Sequence, residues 1–482
     1  MKLVLSRESD PPLWLYWEGP MPPYIRLCAD LWAAYYPGTV LLGPNDIVSM
    51  GIPQDVWEAI QHWHVAQRSD AIRCFLLWRY GGMWCDIDCI PMRSVDIFID
   101  LAKRCPAGVA AYDSTDRTIG VGCIAAREGA EAIERWWNAI LQVVRDGRSP
   151  RWLEVSTEPF TRIVADLGSE NFLLWPLAHI SPVPWNQTER FLEQGEEAKH
   201  REFMRGFPAA WCWMLCNHKL KDLGVWAWSR QECLRSNRLL SAVFRESLRR
   251  LHEKQPPARG RALATLNVHG DGLPHNFRQS MRAAAERWGA EFVEITTPIV
   301  SWQDPFWEKL NLDRHLAMYE QVVYIDRDVV IRSDCPNLFE LVPEKAFAAA
   351  PSEQEGHSFR REIEDTMTPL LRLCGIDHMV WETEYLNSGV MVFSPRRHAK
   401  IFEIARALHP IPWVRNWITI DQGLLALALK IVEPPRVFLP STFNRCGATL
   451  WDHWQPQMTD YIWHFCGPKN WEHMIHTIWQ IE

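Results

Sequence analysis

The chain has 482 residues, more than one hydrophobic core ordinarily holds, so two or three domains are expected. Hydrophobic residues make up 47% and charged residues 23%, the proportions of a soluble globular protein, and the net charge of −8 argues against a general polyanion binder. The 13 cysteines lack the spacing of a disulfide framework, so reduced thiols in the cytosol are expected. Neither the apolar core of a signal peptide nor an apolar run of ~20 residues, long enough to span a membrane, occurs.

The first half of the chain alternates strand and helix patterns. The predicted elements are a strand at 13–17, a helix, a strand at 40–42, a helix capped by Ser69 and running to about Tyr80, a short strand ending at Asp86, and a helix at 128–145. Gly81 and Gly82 end the helix before the aspartates, because glycine accepts the backbone angles of a helix terminus.

Residues 254–260, which are rich in proline, predict a linker, after which the pattern starts again. The predicted elements of the second half are a strand at 262–268, a helix at 277–288, a strand at 292–295, a helix at 308–319 and a strand ending at Asp326. Alternating strands and helices in both halves favour two α/β domains with mostly parallel sheets. We place these domains at 1–255 and 256–482.

An aspartate pair follows a short apolar strand in each half: Asp86 with Asp88, and Asp326 with Asp328. Ligands of open α/β sheets bind at the carboxyl ends of the strands. Carboxylate oxygens there suit Mg²⁺ or Mn²⁺ with open positions for a diphosphate. One such pair is weak evidence, but two in halves of suitable size predict two nucleotide-sugar sites.

The second half carries four segments that resemble the glycogenin and lipopolysaccharide-galactosyltransferase family of retaining glycosyltransferases. They are, in the family's order, 324–330 (YIDRDVV), 385–391 (YLNSGVM), 421–425 (DQGLL) and 464–471 (HFCGPKNW). The resemblance spans about 262–475 and is specific in order and spacing. Asn470 departs from it, because the family usually has proline there.

The resemblance implies a role for each matching residue of the second half. The implied metal ligands are Asp326, Asp328 and His464; the implied donor contacts are Lys309, Ser388, Gly389, Gly467 and Lys469; and the implied residues of the reaction face are Asn387, Asp421 and Gln422. Taken singly, His464 could be a core histidine and Asp421 a helix cap. A site that stabilises a departing diphosphate needs a cation and preorganised donors, which this set supplies.

The first half resembles another retaining group, which contains the capsular-polysaccharide-synthesis proteins, yeast initiating mannosyltransferases and glucosylating clostridial toxins. The segments that carry it are 14–19 (WLYWEG), 69–73 (SDAIR) and 80–88 (YGGMWCDID). The resemblance implies that Asp70 and Arg73 contact the donor, although as a helical pair they could also be a surface ion pair. It implies Asp86 and Asp88 as metal ligands, with Trp17 as a wall for the uracil ring.

The resemblance assigns no role to several other positions of the first half. Residues 156–160 lack the glycine of the Gly-Pro loop that many relatives carry, which leaves the acceptor side unassigned. His218 and Trp213 are candidates to complete the first metal site. A zinc site of Cys85, Cys89, Cys212 and Cys216 is an alternative to the more common interpretation of such cysteines as small buried side chains. The basic stretch 230–261 predicts a surface helix, with a phosphate-bearing acceptor or a membrane surface as the alternative.

The predicted fold class is α/β, with two GT-A-like, Rossmann-like domains in tandem. The predicted function is that of a bifunctional retaining hexosyltransferase with one Mn²⁺ or Mg²⁺ per domain and UDP-sugar donors. Consecutive additions to a glycan or glycolipid acceptor are expected, in the cytoplasm or at the inner face of a membrane. One alternative is a hydroxymethylated base of phage-type DNA, or a protein, as acceptor. The other is a first half that only binds acceptor. The sequence does not indicate an oligomeric state.

Overall fold

The computed structural model describes residues 10–114, 118–253, 257–268, 273, 275–300, 305–351, 357–409, 421–446 and 459–465. The chain divides into two compact units. Unit 1 comprises Met1–Glu253 with Arg372–Gly375, and unit 2 comprises Lys254–Leu371 with Ile376–Glu482. Within the described residues, no helix is both long and apolar enough to cross a membrane.

Unit 1 contains strands β1–β8 and helices α1–α11. The strands are β1 (Leu13–Tyr16), β2 (Thr39–Leu42), β3 (Gly82–Cys85), β4 (Cys89–Pro91), β5 (Val109–Asp113), β6 (Ile119–Ala126), β7 (Leu173–Pro176) and β8 (Cys212–Met214). The helices are α1 (Pro23–Tyr35), α2 (Pro44–Ser49), α3 (Gln54–Ile60), α4 (Val65–Tyr80), α5 (Asp96–Arg104), α6 (Glu131–Arg145), α7 (Thr157–Leu167), α8 (Glu197–Arg205), α9 (Asn217–Asp222), α10 (Arg230–Arg235) and α11 (Leu239–His252).

The main sheet of unit 1 has six strands in the order β2-β1-β3-β6-β5-β7. Strand β1 runs parallel to β2 and β3, and β5 runs parallel to β7, whereas β6 is antiparallel to both of its neighbours. A separate antiparallel ribbon joins β4 to β8. Because β3 and β4 are buried throughout and their connection carries Asp86 and Asp88, the sheet edge holds the aspartates in a fixed position.

Unit 2 contains strands β9–β17 and helices α12–α18. The strands are β9 (Arg261–Leu266), β10 (Glu291–Ile295), β11 (Gln321–Ile325), β12 (Val329–Ile331), β13 (Phe347–Pro351), β14 (Leu386–Phe393), β15 (Arg436–Phe438), β16 (Arg445–Cys446) and β17 (Ile462–His464). The helices are α12 (His275–Arg287), α13 (Leu312–His315), α14 (Leu338–Leu341), α15 (His357–Leu373), α16 (Trp381–Glu384), α17 (Ala399–Leu408) and α18 (Asp421–Val432).

The main sheet of unit 2 repeats the topology of unit 1. Its order is β10-β9-β11-β14-β13-β15, with β14 antiparallel to both neighbours and the other pairs parallel. The ribbon β12–β17 corresponds to the ribbon β4–β8. The predicted class, two α/β units of mainly parallel strands in tandem, is confirmed.

Each sheet is covered by helices that bury apolar side chains against it. In unit 1 the core includes Trp14 and Trp84 of the sheet and Trp136 of α6, all at most 1% exposed. In unit 2, β11 is buried along its whole length and packs with Phe277 and Met281 of α12. Burial of such large side chains supplies most of the free energy that holds a sheet and its helices together. Much of the unusual tryptophan content is therefore core.

The turn before the first aspartate pair requires glycine. Gly81 ends α4 with φ of 63°, a conformation that other residues rarely adopt. A Cβ atom on Gly81 would lie 2.6 Å from the backbone nitrogen of Glu128. The turn therefore brings β3 close to the neighbouring backbone, and the prediction that this glycine pair ends the helix is confirmed.

Three predicted helix boundaries are wrong. Ser69 lies inside α4, whose N-cap is His64; the His64 ring accepts a hydrogen bond from the backbone N–H of Ala66. The helix predicted at 308–319 is a 3-10 helix at Pro305–Asn311 followed by the single turn α13. The basic stretch forms two helices, α10 and α11, because Ser229 starts a separate capping box with Glu232.

Candidate active sites at the two aspartate pairs

Unit 2 brings three predicted metal ligands together at the end of β11. The ligand atoms of Asp326, Asp328 and His464 all lie within 4.8 Å of one another. His464 Nε2 is 3.3 Å from a carboxylate oxygen of Asp328 and 3.7 Å from one of Asp326. The register of the β12–β17 ribbon places His464 opposite Val329, next to Asp328, which explains how a residue far along the chain reaches the pair.

Asn444 orients the imidazole of His464. The Nδ1 atom of His464 lies 2.9 Å from Oδ1 of Asn444, and the Asn444 amide donates to Oδ1 of Asn387 at 2.8 Å. Nδ1–H therefore donates to Asn444, which leaves Nε2 as the ring atom that faces the carboxylates and is available to a metal. Sequence analysis missed Asn444, because no recognised motif contains it.

Gly389 makes room for this imidazole. A Cβ atom on Gly389 would lie 2.2 Å from Cε1 of His464. The carbonyl of Gly389 also accepts the backbone N–H of Asp326 at 2.8 Å. Any larger residue would displace the histidine. Gly389 therefore contributes the room that its missing side chain leaves and its backbone carbonyl.

Lys309 links the aspartates of unit 2 to the predicted reaction face. Its Nζ lies 2.8 Å from Asp326 and 3.1 Å from Asp421, and it donates to Ser388 Oγ at 3.2 Å. Ser388 in turn donates to Asp421. Burial opposes the charge of Lys309, but the two carboxylates outweigh burial and raise its pKa. The site therefore holds a buried cation beside the candidate metal ligands.

The remaining predicted residues of unit 2 are Asn387, Gln422, Gly467 and Lys469. Asn387 lies in the network of Asn444 and His464 described above, whereas Gln422 donates to the hydroxyl of Tyr385 at 2.9 Å. Gly467 and Lys469 lie outside the described residues.

The electrostatics of the unit 2 site favour a bound cation. Burial raises the pKa of Asp326, because its charged form loses solvation. Burial acts on Asp328 in the same direction, but the neighbouring His464 outweighs it and lowers the pKa of Asp328. Two carboxylates and one oriented imidazole fit a divalent cation that keeps open coordination positions.

Unit 1 surrounds Asp86 in a similar way. One Asp86 oxygen accepts from Arg73 at 2.7 Å and from the indole N–H of Trp84 at 2.8 Å. In unit 2, Lys309 and the hydroxyl of Tyr324, which like Trp84 precedes its aspartate by two residues, contact Asp326. Each first aspartate therefore faces one cation and one aromatic donor.

Asp70 and Arg73 form a largely buried ion pair rather than an exposed surface pair. Arg73 is 5% exposed, and its guanidinium lies 3.1 Å from Asp70. Burial raises the pKa of Asp70 to about 6, against the lowering effects of Arg73 and of a hydrogen bond with Ser156. The predicted donor contacts are thus brought to Asp86, with Ser156 beside them.

Asp88 forms a hydrogen bond with the backbone of a neighbouring helix. One of its oxygens accepts the backbone N–H of Asn217 at 2.6 Å, at the start of α9. Burial, and next the charge of Asp86, raise the pKa of Asp88 to about 7. Two nearby carboxylates without a histidine between them therefore repel each other more than the pair in unit 2 does.

Neither candidate for a third ligand in unit 1 completes the site. Trp213 is 2% exposed and packs among the rings of Phe191, Phe203 and Phe207. His218 is exposed, and in residues 10–114 and 118–253 no third His, Cys, Asp or Glu joins Asp86 and Asp88 at the spacing found in unit 2.

Strand register shows which residue stands where unit 2 has its histidine. Cys89 pairs with Met214 as Val329 pairs with His464. A Cβ atom on Gly122, the counterpart of Gly389, would lie 2.6 Å from the methyl group of Met214. The thioether of methionine is a poor ligand for a hard cation, so unit 1 fits a divalent ion less well.

Trp17 is connected to Asp88 through two residues that the sequence analysis missed. The rings of Trp17 and Trp226 lie 6.2 Å apart, and the Trp226 indole donates to Asn217 Oδ1 at 3.0 Å. Asn217 donates its backbone N–H to Asp88. A half-buried aromatic pair therefore stands next to the second aspartate, as a base-binding wall requires.

The zinc site considered from sequence is wrong in one member. The four cysteines whose ligand atoms meet are Cys85, Cys89, Cys123 and Cys212, which we call the cysteine tetrad. Cys216 instead lies beside His218, with 3.6 Å between sulfur and Nδ1. Sequence spacing could not identify Cys123, because it reaches the cluster from β6, the neighbour of β3.

Arginines of the basic stretch are paired with acids. Arg245 contacts Glu197, and Arg249 and Arg250 contact Glu246 at 2.8 Å. Arg230 lies 2.8 Å from Asp30. These pairs reduce the positive charge offered to a phosphate-bearing partner, which favours a solvated helix face.

Comparisons with known proteins agree with both resemblances. Residues 300–474 match the model of glycosyl transferase family 8, and residues 43–103 match that of the glycosyltransferase sugar-binding region containing the DXD motif. A search of curated proteins gives no match.

Three similar solved structures are distant in sequence. A glycosyltransferase involved in glycosylation of the major capsid of PBCV-1 is 9% identical, with 46% of this chain and 100% of that chain covered and a TM-score of 0.33. The galactosyltransferase LgtC with donor and acceptor sugar analogues is 16% identical, at 44% and 88% coverage and a TM-score of 0.25. The bifunctional glycosyltransferase WbbM is 12% identical, at 66% and 76% coverage and a TM-score of 0.29. Likeness at this level does not bear on function. On the family models, the protein is a glycosyltransferase: a segment of unit 2 is similar to family 8, and a segment of unit 1 is similar to the sugar-binding region that contains the DXD motif.

Proposed function

We propose that the chain is a bifunctional, metal-dependent, retaining hexosyltransferase that uses nucleotide-sugar donors, with UDP as the nucleotide. The observation that carries the proposal is the cluster of Asp326, Asp328 and His464 beside the buried cation of Lys309. Departure of a nucleoside diphosphate leaves negative charge on phosphate oxygens. A site that places positive charge there before the reaction stabilises that charge most effectively.

In unit 2, Asp326, Asp328 and His464 are proposed to hold Mn²⁺ or Mg²⁺, which when bound supplies positive charge to the diphosphate. Lys309, Ser388 and Gly389 are proposed to border the donor. Lys309 also forms an ion pair with Asp421, with 3.1 Å between the two charged groups.

The reaction face of unit 2 is proposed to consist of Asn387, Asp421 and Gln422. Asp421 and Gln422 begin α18 at the carboxyl end of the sheet, where ligands of such sheets bind. Gly467 and Lys469 are proposed to contact the diphosphate. Front-face retention needs no fixed protein nucleophile, so these residues position the sugar and stabilise charge.

In unit 1, Asp86 and Asp88 are proposed to hold a second cation, with Asp70 and Arg73 at the donor and Trp17 against the base. The shared topology and the similar surroundings of Asp86 and Asp326 support this proposal. We propose that domains 1–255 and 256–482 add sugars consecutively to one glycan or glycolipid in the cytoplasm, since tethering two sites raises effective concentration.

One observation favours a second candidate function for unit 1. Met214 takes the place of the metal-binding histidine, and Asp88 is engaged by the backbone of Asn217. A unit of this kind could bind the acceptor and present it to unit 2 without transferring a sugar itself.

The test is release of UDP from a panel of UDP-sugars with Mn²⁺, with and without EDTA, using slow hydrolysis in the absence of acceptor as the readout. Asp326→Asn and Asp86→Asn are each expected to lower turnover of one donor by at least about 100-fold and to leave the other unchanged. Asp365→Asn and Asp55→Asn are matched controls, because both aspartates are exposed and belong to neither candidate site.

Three outcomes separate the candidates. Two donors, each lost with a different variant, establish two transferase sites. A single donor, lost only with Asp326→Asn, leaves unit 1 as the binding module. Loss of all turnover with either variant contradicts two independent sites, and turnover that survives EDTA contradicts metal dependence.

A further inference from the structure

The cysteine tetrad is a closed, fully buried cluster in unit 1. Its members come from four strands: Cys85 ends β3, Cys89 begins β4, Cys123 lies in β6 and Cys212 begins β8. None is more than 1% exposed. The sulfur of Cys123 lies 3.3 Å from that of Cys85, 3.8 Å from that of Cys212 and 3.9 Å from that of Cys89.

Unit 2 shows what the same fold needs at these positions. Cys85 pairs with Cys123 as Ile325 pairs with Val390, because β3–β6 and β11–β14 share one register. The ribbons correspond as well, so that the counterparts of the tetrad are Ile325, Val329, Val390 and Ile462. All four counterparts are fully buried. The fold therefore requires only apolar side chains here.

Replacement of all four aliphatic residues by cysteine is not explained by packing. Cysteine has fewer side-chain atoms than valine or isoleucine, so four cysteines fill the same place less completely. Cysteine accounts for only 13 of the 482 residues, and four at mutually touching positions are not expected by chance. A role that uses all four sulfurs accounts for the pattern.

We propose that the cysteine tetrad binds one structural Zn²⁺. Four thiolates in a closed site are a donor set of structural zinc, and Zn–S bonds of about 2.3 Å in a tetrahedron place the sulfurs about 3.8 Å apart. On binding, four Zn–S bonds form and the four thiols release their protons to solvent, with no change of oxidation state. A disulfide would use two sulfurs at about 2 Å and leave the other two unexplained.

The ion would fix the turn that carries the first aspartate pair. Cys85 and Cys123 belong to the main sheet, and Cys89 and Cys212 belong to the β4–β8 ribbon. Asp86 and Asp88 lie on the connection between Cys85 and Cys89. Zinc would therefore join ribbon and sheet at that connection, the task that aliphatic packing performs in unit 2.

The first test measures zinc in the full-length protein purified under reducing conditions after growth with added zinc. Elemental analysis after gel filtration should find about one zinc per chain. Cys212→Ser should lose it, whereas Cys216→Ser, a change just outside the tetrad, should retain it. The double variant Asp86→Asn/Asp88→Asn should also retain it, which separates zinc at the tetrad from a metal at the aspartates.

A second variant guards against misfolding of the serine variant. Cys85→Ile, Cys89→Val, Cys123→Val and Cys212→Ile together give unit 1 the packing of unit 2. This protein should fold without zinc, and a strong chelator should lower the melting temperature of the wild type but not that of the variant. The readouts do not involve sugar transfer, so they stand or fall separately from the proposed function.

Several results would overturn the proposal. One is a wild-type protein that contains no zinc even after incubation with zinc in reducing buffer. Another is a zinc content that is unchanged in both the Cys212→Ser variant and the four-residue variant. The third is the detection of disulfides within the tetrad by mass spectrometry of the freshly purified protein.

Discussion

The two units share one sheet topology but stabilise their aspartate turns by different means. In unit 2, His464 stands between Asp326 and Asp328, and aliphatic side chains lie beneath them. In unit 1, Met214 stands at the histidine position and the cysteine tetrad lies beneath Asp86 and Asp88. The fold therefore specifies where the carboxylates lie, while a few neighbouring positions decide how well each pair accepts a cation.

What the units retain is as informative as what they change. Both place an aromatic donor two residues before the first aspartate and a buried cation, Arg73 or Lys309, against it. Asn387 and Ser388 of unit 2 correspond in register to Gly120 and Val121 of unit 1. The polar surroundings of the first aspartate are thus alike in the two units. The positions of Asn387 and Ser388 differ, because unit 1 has Gly120 and Val121 there.

The largest effect is expected from removal of the buried cations. Lys309→Met leaves Asp326 and Asp421 without their shared positive charge and should lower kcat/KM of the unit 2 reaction by about 10²- to 10³-fold. Arg73→Met should do the same to the unit 1 reaction. Steady-state kinetics with each unit's donor measures both, and the unaffected unit in each variant is the internal control. Equal losses in both reactions would break the comparison.

An exchange of the histidine and methionine positions should have the next largest effect. His464→Met removes one metal ligand and should weaken the apparent Mn²⁺ affinity of unit 2 by about 10- to 100-fold. Met214→His should strengthen that of unit 1, because Gly122 leaves the same space that Gly389 leaves. Metal titrations of UDP release measure both affinities. No change in either variant would contradict the assignment of the third ligand.

The smallest expected effect is a change in the stability of unit 2 at acid pH. Burial lowers the pKa of His398 to about 4, and its neutral ring accepts from the backbone N–H of Ser394 at 3.0 Å. The unfolded chain binds a proton at this histidine more readily than the folded chain does. The contribution of neutral His398 to the stability of unit 2 is therefore complete above about pH 6.5 and is lost as the pH falls toward 4. His398→Asn should reduce the acid-induced loss of stability by about 1 to 2 kcal/mol at pH 5.

Hydrogen exchange measured by mass spectrometry reports the stability of unit 2 separately from that of unit 1. At pH 7.5 the wild type and His398→Asn should exchange at similar rates. At pH 5 unit 2 of the wild type should open more often than unit 2 of His398→Asn. An identical pH dependence in the two proteins would show that His398 is not responsible.

Residues joined by local pattern were predictable from sequence. The strands before Asp86 and Asp326 and the glycine turn after α4 follow from apolar runs and turn residues. The family resemblance, rather than a local pattern, brought His464 together with Asp326 and Asp328, which do lie close to it. Ser69 was misassigned as a cap because a histidine performs that role less commonly than serine does.

Residues joined only by strand pairing were not predictable. Asn444 directly precedes β16, whose pairing with β17 brings it to His464, and Cys123 reaches the tetrad because β6 pairs with β3. The equivalence of Met214 and His464 also needs the register of two ribbons, which the sequence does not show. Sequence analysis considered two wrong ligands, Trp213 and His218, for the same reason.

Binding of UDP in the presence of Mn²⁺, followed by isothermal titration calorimetry, tests most directly whether each unit has its own site. The two-site model predicts two equivalents of UDP per chain, one of them lost with Asp86→Asn and the other with Asp326→Asn, and none bound by the double variant. A single equivalent that Asp86→Asn leaves unchanged would contradict a nucleotide site in unit 1.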